Sequence, residues 1–392
     1  MMALDGLRVL DRTDDMAGRF CSMLLADMGA DVIELAPPDR KPAARDDERV
    51  PAASAVLRAL GRNRRSVTLD VGQPGGVEVF TRLVQTADVL VDSDQRGAAT
   101  HRGTATDGLV ALNPRLIACT VSAFGRTGPR AEQPGGDLIA QGMSGIMSAT
   151  GSDGGAPAAV GVPVAELGAG LFAVVGILAA LRARHRTGRG QVVDTSSFEA
   201  AIALSQWEAT QYWYTGEVPR GLGTAHRLNA PYQAFRASDG YFTVGAANDN
   251  LWPRFARLLG LADLVSDPRF DTVPGRLRHR AELEALIEAV TIEAPRAHWL
   301  ERCEAVGVPA GPINSVPEAL ADAHALARGM VQTLLDPRLG SVKALGNPVK
   351  MSATPPRVWS AAPVPGAETE AILRELGYGD AEVAALRDGR IV

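Results

Sequence analysis

Leu7-Arg8-Val9-Leu10-Asp11, a helical stretch over residues 17–28, and Asp31-Val32-Ile33-Glu34-Leu35 decide the fold. The two flanking runs are short and apolar enough to read as strands, while the middle segment gathers its apolar side chains on one helical face. Strand, helix and strand in that order make a βαβ opening. A second unit follows, with strands at residues 66–69 and 87–91 around a helix at 75–85, and residues 116–121 add a further strand. Repeated crossovers of this kind imply a mostly parallel sheet covered by helices, so the fold class expected is α/β.

Further along, an unbroken helix is expected over residues 167–185, stopped by Thr187-Gly188-Arg189-Gly190 before a strand at 191–194. Around residues 215–230 the pattern dissolves into Gly, Pro, Arg and Asn, which marks a domain crossing. Two strands joined by a turn follow at 232–237 and 241–246, then helices at 281–290 and 296–305, and a last amphipathic helix at 368–376. The division expected is a large domain over residues 1–215, a small α+β domain over 225–325, and a C-terminal segment, 326–392, returning to the large one.

The chain has 392 residues, 46% apolar and 22% charged, with a net charge of -5 and both signs mixed along its length. That balance argues against a nucleic-acid partner and against a charged membrane surface. Residues 169–181 form the longest apolar run, shorter than the roughly 18–20 residues that span a bilayer, and so read as a buried helix. No export signal is visible at the N-terminus. Cys21, Cys119 and Cys303 stand singly, which fits a reducing cytoplasmic compartment rather than a disulfide framework.

The opening βαβ unit places a helix N-terminus where phosphates bind, but only Gly18 stands where a dinucleotide fingerprint needs three spaced glycines, and no Walker-type Gly-Lys-Ser/Thr occurs. NAD and ATP are therefore disfavoured. His101, His185, His226, His279, His298 and His324 show no paired spacing, so neither a metal site nor a Ser-His-Asp arrangement is expected. Arg62, Arg64, Arg65, Arg96 and Arg102 are candidate phosphate contacts, or ordinary solvated arginines.

Glu166 immediately precedes the expected 167–185 helix, whose Gly168, Ala169, Gly170, Gly176, Ala179 and Ala180 permit close backbone approach. Two readings are open. An acid there can simply complement the helix dipole, an effect of about 0.3–1 kcal/mol. Alternatively it is a carboxylate nucleophile held at a pocket edge by a rigid helix, with neighbouring amides keeping it ionised.

Several ordered blocks resemble the class III CoA-transferases. They are residues 4–11, Ala17-Gly18, Leu25-Ala26-Asp27-Met28-Gly29-Ala30-Asp31-Val32-Ile33, Asn63-Arg64-Arg65-Ser66-Val67-Thr68-Leu69-Asp70, Leu112-Asn113-Pro114-Arg115, Ala140-Gln141-Gly142-Met143-Ser144-Gly145, Pro231-Tyr232-Gln233, Asp267-Pro268-Arg269-Phe270 and residues 307–312. The resemblance covers essentially the whole chain. It implies a Rossmann-like large domain built from both chain ends, a smaller domain between, and two subunits interlocked as a homodimer. The family includes formyl-CoA and carnitine CoA-transferases and α-methylacyl-CoA racemases. In the transferases an aspartate carries the acyl group as a mixed anhydride and then CoA as a thioester; Glu166 stands at that aspartate's position.

By position, the resemblance makes Met16, Ala17, Leu69, Asp70, Val71, Gly72, Ser93, Asp94, Gln95, His101, Gly136 and Asp137 CoA-contact candidates. The partners it implies are an acyl-CoA, a carboxylic acid and a second copy of the chain, with CoA thioester as substrate and no permanent cofactor. The expected activity is CoA transfer between carboxylic acids, with an acyl-CoA racemase or isomerase, or a non-catalytic CoA-binding homologue, as alternatives. The racemases carry a histidine where this chain has Gly136. The loop at residues 216–229, expected to help close the acyl pocket, has no motif that specifies an acid.

Overall fold

Val9 and Leu10 are both buried, yet they belong to different hydrophobic clusters, because successive side chains of a strand face opposite sides and this sheet is covered on both. The structure is a computed structural model that describes residues 1–38, 52–93, 105–336 and 338–392. Two units emerge: one comprises Met1–Ile146, Ala159–Gly216 and Ala323–Val392, the other Met147–Ala158 and Glu217–Asp322.

In the first unit the chain runs β1 (Arg8–Arg12), α1 (Met16–Asp27), β2 (Asp31–Ala36), α2 (Ala52–Leu60), β3 (Arg64–Thr68), α3 (Pro74–Thr86), β4 (Val89–Asp92), α4 (Thr106–Leu112), β5 (Ile117–Ser122) and α5 (Asp137–Met143). After α6 (Ile146–Ala149), which belongs to the second unit from Met147 on, the first unit resumes with α7 (Val164–Thr187), β6 (Val192–Ser196), α8 (Ser197–Leu204) and α9 (Gln206–Thr215). The six strands form one parallel sheet in the order β3-β2-β1-β4-β5-β6. That is the order of doubly wound sheets, with the reversal between β1 and β4. On one face α1 and α7 bury Val9, Val32, Val91, Ile117 and Cys119; on the other, α3 covers Leu10, Ile33, Val67 and Leu90.

The helix expected at 167–185 begins three residues earlier, at Val164 just after Pro163, and ends at Gly188, whose φ of 73° suits a residue without a Cβ. Its 24 residues make it long and apolar enough to cross a membrane, which the shorter apolar run in the sequence did not suggest. Ala169, Ala173, Ile177 and Ala180 are nonetheless buried against the sheet and α1, as in a core helix.

The second unit holds β7 (Tyr232–Ala237), β8 (Gly240–Gly245), α10 (Leu251–Leu258), a 3-10 turn (Ala262–Val265), α11 (Val273–Arg278), α12 (Arg280–Thr291), α13 (Arg296–Ala305), β9 (Ala310–Pro312) and α14 (Val316–Ala321). Its core is aromatic, built on Phe235, Phe242, Trp252, Phe255, Phe270 and Trp299. It also includes Met147–Ala158, a segment outside the boundaries drawn from sequence: Gly223 N–H donates to the Gly151 carbonyl at 2.7 Å and Arg227 to the Ala149 carbonyl at 3.0 Å.

From α15 (Ala323–Ala327) the chain rejoins the first unit through the antiparallel pair β10 (Val331–Asp336) and β11 (Gly340–Leu345), then α16 (Thr369–Glu375) and α17 (Asp380–Asp388). Asp27, fully buried, ties this return to the opening of the chain. Its carboxylate accepts from Arg62 at 3.0 and 2.6 Å, from Asn63 at 2.8 Å and from Asn347 at 3.1 Å. Removing it leaves a buried guanidinium uncompensated, so Asp27→Ala is expected to cost about 3–5 kcal/mol in equilibrium urea denaturation. A loss below about 1 kcal/mol would show that the network is not integral to the fold.

Candidate active site

The crevice outside the carboxyl ends of β1 and β4 is where a doubly wound sheet takes its ligand, and the chain leaving those strands is tightly laced. Asp11 accepts from the Thr13 amide at 3.0 Å and the Thr13 hydroxyl at 2.6 Å, and its other oxygen pairs with Arg64. Asp15 then caps α1, accepting from Gly18 N–H at 2.8 Å, a role suited to a short acidic side chain. Ser93, just past β4, accepts from Asp14 N–H at 3.3 Å.

Beside this lies the start of α7. The helix packs so closely on α1 that a Cβ on Gly170 would sit 2.6 Å from the Ala17 carbonyl oxygen. The two N-termini therefore stand side by side, and Glu166, half-buried in the first turn of α7, faces the charge of Asp15. Glu166 does not cap its own helix. The amides of Ala165 and Glu166 donate to Oδ1 of Asp137, at 2.8 and 3.3 Å, and the amide of Leu167 donates to the Pro163 carbonyl.

Burial pushes the Glu166 carboxyl above the usual glutamate range, and the negative charges of Asp15 and Asp137 push it further; a hydrogen bond from the Asp137 backbone amide opposes them. The helix amides expected to stabilise this carboxylate are taken by Asp137 instead. Asp15 is also raised, chiefly by burial, with Asp14 and Asp11 adding to it and Ser93 and Gly18 pulling it back.

The CoA-contact candidates fall in three places. Met16 and Ala17 open α1, with Met16 partly exposed and Ala17 buried, and Ser93 follows β4. Leu69, Asp70, Val71 and Gly72 make the turn between β3 and α3, where Asp70 accepts from Gly72 N–H at 2.9 Å and Gln73 at 2.8 Å. Gly136 and Asp137 begin α5. Asp94, Gln95 and His101 lie outside the described residues, as do Arg96 and Arg102.

The other arginines singled out as phosphate contacts are engaged within the protein. Arg62 pairs with Asp27, Arg64 with Asp11, and Arg65 with Asp31 and Glu375. They are structural cations. Sequence reading missed Asp15 and Gln141. An aspartate just ahead of the 17–28 helix was an available capping signal for the first; the second acts only through tertiary contact. In the second unit, Thr224 and Asn229 of the expected pocket loop, with Tyr232, Gln233 and Asn248, line a cleft of about 650 Å³.

Residues 4–369 match the description of CoA-transferase family III. The chain belongs to that family. It is 35% identical to a succinate–glutarate CoA-transferase of Agrobacterium fabrum, over 95% of each chain. It is also 35% identical to a succinyl-CoA–D-citramalate CoA-transferase of Chloroflexus aurantiacus, covering 99% of this chain and 98% of that one. Among solved structures, a CAIB/BAIF family protein from Brucella suis superposes with a TM-score of 0.84 at 36% identity, over 96% of this chain and 99% of the other. This family III member is a CoA-transferase, exchanging CoA between an acyl-CoA and a carboxylic acid.

Because the Glu166 carboxyl binds its proton more tightly in the folded state, its ionisation costs stability above the ordinary glutamate range and costs nothing below it. Glu166→Gln is therefore expected to raise the thermal midpoint at about pH 8, with the gain shrinking as pH falls toward about 4. An unchanged or lowered midpoint at the higher pH would contradict that electrostatic picture.

Proposed function

We propose that Glu166 is the nucleophile of this CoA-transferase. The observation that carries the reading is its carboxyl, half-buried in the first turn of α7 beside the start of α1, at the reversal of strand order where ligands bind. Its carboxylate attacks the acyl-CoA carbonyl, forming a glutamyl-acyl anhydride and releasing CoA thiolate. The thiolate attacks the glutamyl carbonyl, giving a glutamyl-CoA thioester and the departing acid. The acceptor carboxylate then forms a second anhydride, and CoA thiolate returns to the acceptor's carbonyl. One thioester is exchanged for another, so no ATP is consumed and CoA is a substrate rather than a resident cofactor.

The CoA chain is assigned to the carboxyl ends of β1, β3 and β4. Met16, Ala17, the 69–72 turn and Ser93 line it, and Asp94, Gln95 and His101 are assigned by position. The transferases named above act with succinyl-CoA or succinate and a second dicarboxylic acid, so a dicarboxylate donor and acceptor pair is the substrate class proposed. Gly136 offers no proton-transferring group where racemases place one, although the space around it is open. Racemisation therefore has no acid–base pair here. Leu138 and Ile139 on α5, Leu171, Phe172 and Val175 on α7, and Trp213 and Tyr214 on α9 are exposed. Apolar surface of that extent supports the interlocked homodimer as the working form. Free buried cysteines support a reducing, cytoplasmic location.

Glu166→Ala is expected to lower CoA transfer from succinyl-CoA to glutarate by at least on the order of 10³-fold, as loss of a covalent nucleophile does. Intact-protein mass spectrometry of the parent enzyme with succinyl-CoA is expected to reveal a covalent CoA adduct that this variant lacks. Glu166→Asp, which withdraws the carboxylate by one methylene, is expected to keep the adduct but turn over about 10–100-fold more slowly. Full activity in Glu166→Ala would overturn the assignment.

A further inference from the structure

The start of α7 has no cap of its own: the residue preceding it is Pro163, whose side chain can accept nothing. Asp137, 28 residues upstream, meets the need from another helix, taking both the Ala165 and Glu166 amides on one oxygen. Its second oxygen accepts from Gln141 Nε2 at 2.6 Å, and Gln141, 1% exposed, accepts the Val160 amide at 2.9 Å. This relay grips the chain at Val160 and again at residues 165–166. It thus fixes both ends of the Gly161-Val162-Pro163-Val164 approach to the catalytic helix.

From this geometry we infer that Asp137, braced by Gln141, is the positioning residue that aims Glu166 at the acyl carbonyl, rather than a contact to CoA. The inference rests on Glu166 being the nucleophile. Both carboxylate oxygens of Asp137 are committed within the protein, which leaves its side chain poorly placed to recognise a cofactor. A glutamate also has one more rotatable bond than an aspartate, so a fixed backbone at residue 166 is what confines its carboxylate. A displacement of about 1 Å at a reacting group can cost on the order of a hundredfold in rate.

The test is a comparison of Asp137→Ala, Asp137→Asn and Asp137→Glu with the parent enzyme, using succinyl-CoA and glutarate. Single-turnover formation of the covalent adduct is followed by mass spectrometry, and CoA binding by calorimetry. Asp137→Ala is expected to slow adduct formation and kcat together by about 10–100-fold, with the Kd for CoA changed less than about threefold. Asp137→Asn keeps an acceptor oxygen for both amides, and Asn caps helices about as well as Asp, but its amide nitrogen would face the Gln141 Nε2 donor and break the brace, so its rate is expected to fall between those of the parent and the alanine variant. If the alanine variant does not fold, Asp137→Glu carries the test, because it keeps the charge but moves the oxygens; the same kcat loss with unchanged CoA binding is expected.

A weakened Kd for CoA at unchanged kcat, or an asparagine variant slower than the alanine one, would overturn the positioning role. Glu166→Ala measured alongside separates the two claims. If it remains active, the nucleophile assignment fails and this inference falls with it. If it is dead while Asp137→Ala and Asp137→Glu react at the parent rate, only the positioning role fails.

Discussion

Helix α7 lies against α1 at backbone distance, and that approach requires that Gly170 have no side chain. A Cβ on Gly170 would lie 2.6 Å from the Ala17 carbonyl oxygen, one on Gly176 2.7 Å from a Val193 methyl, and one on Gly168 2.9 Å from a Leu204 methyl. These positions face α1, β6 and α8 in turn, the first against backbone and the other two against side-chain methyls. Interiors packed to this density transmit a displacement rather than absorb it. The site inherits its geometry from that wedge, since the contact with α1 is what brings Glu166 and the Asp15 cap to one edge of the sheet.

The electrostatics of the site follow from the same arrangement and work against simple stability. Two helix N-termini side by side would ordinarily attract anions, yet carboxylates of the protein itself take the Gly18 amide of α1, through Asp15, and the Ala165 and Glu166 amides of α7, through Asp137 of α5. Glu166 is left half-buried among like charges, with its proton affinity raised. A carboxylate so poorly stabilised is a stronger nucleophile than one bathed in helix amides, at the expense of the folded state, as is common where activity needs a destabilised group.

Much of the fold was legible in local patterns. The run from Leu7 through Leu35 announced β1, α1 and β2 because apolar periodicity switched cleanly between strand and helix, and the glycines of the 167–185 helix announced its close packing. The start of α7 was misplaced by three residues because Val164-Ala165 reads equally well as the end of a loop. That shift moved Glu166 from the edge of the helix into its first turn. The role of Asp137 could not be read from its neighbours: it caps a helix 28 residues away, and only the packing of α5 on α7 reveals it. The membership of Met147–Ala158 in the second unit was hidden for the same reason, being set by hydrogen bonds to Gly223 and Arg227. Arg62, Arg64 and Arg65 read in the sequence as phosphate contacts or as ordinary solvated arginines, whereas buried aspartates on α1 and β1 claim Arg62 and Arg64.

The central claim, that Glu166 is covalently acylated and regenerated in every cycle, leaves an isotopic record. Each acceptor carboxylate that passes through the anhydride leaves one of its oxygens on the glutamyl carboxyl. After many turnovers with succinyl-CoA and glutarate labelled with heavy oxygen in its carboxylates, proteolysis and tandem mass spectrometry should find the heavy isotope in the Glu166 side chain and in no other carboxylate. Label absent from Glu166 after sustained turnover, or present on Asp15 or Asp137 instead, would contradict the account.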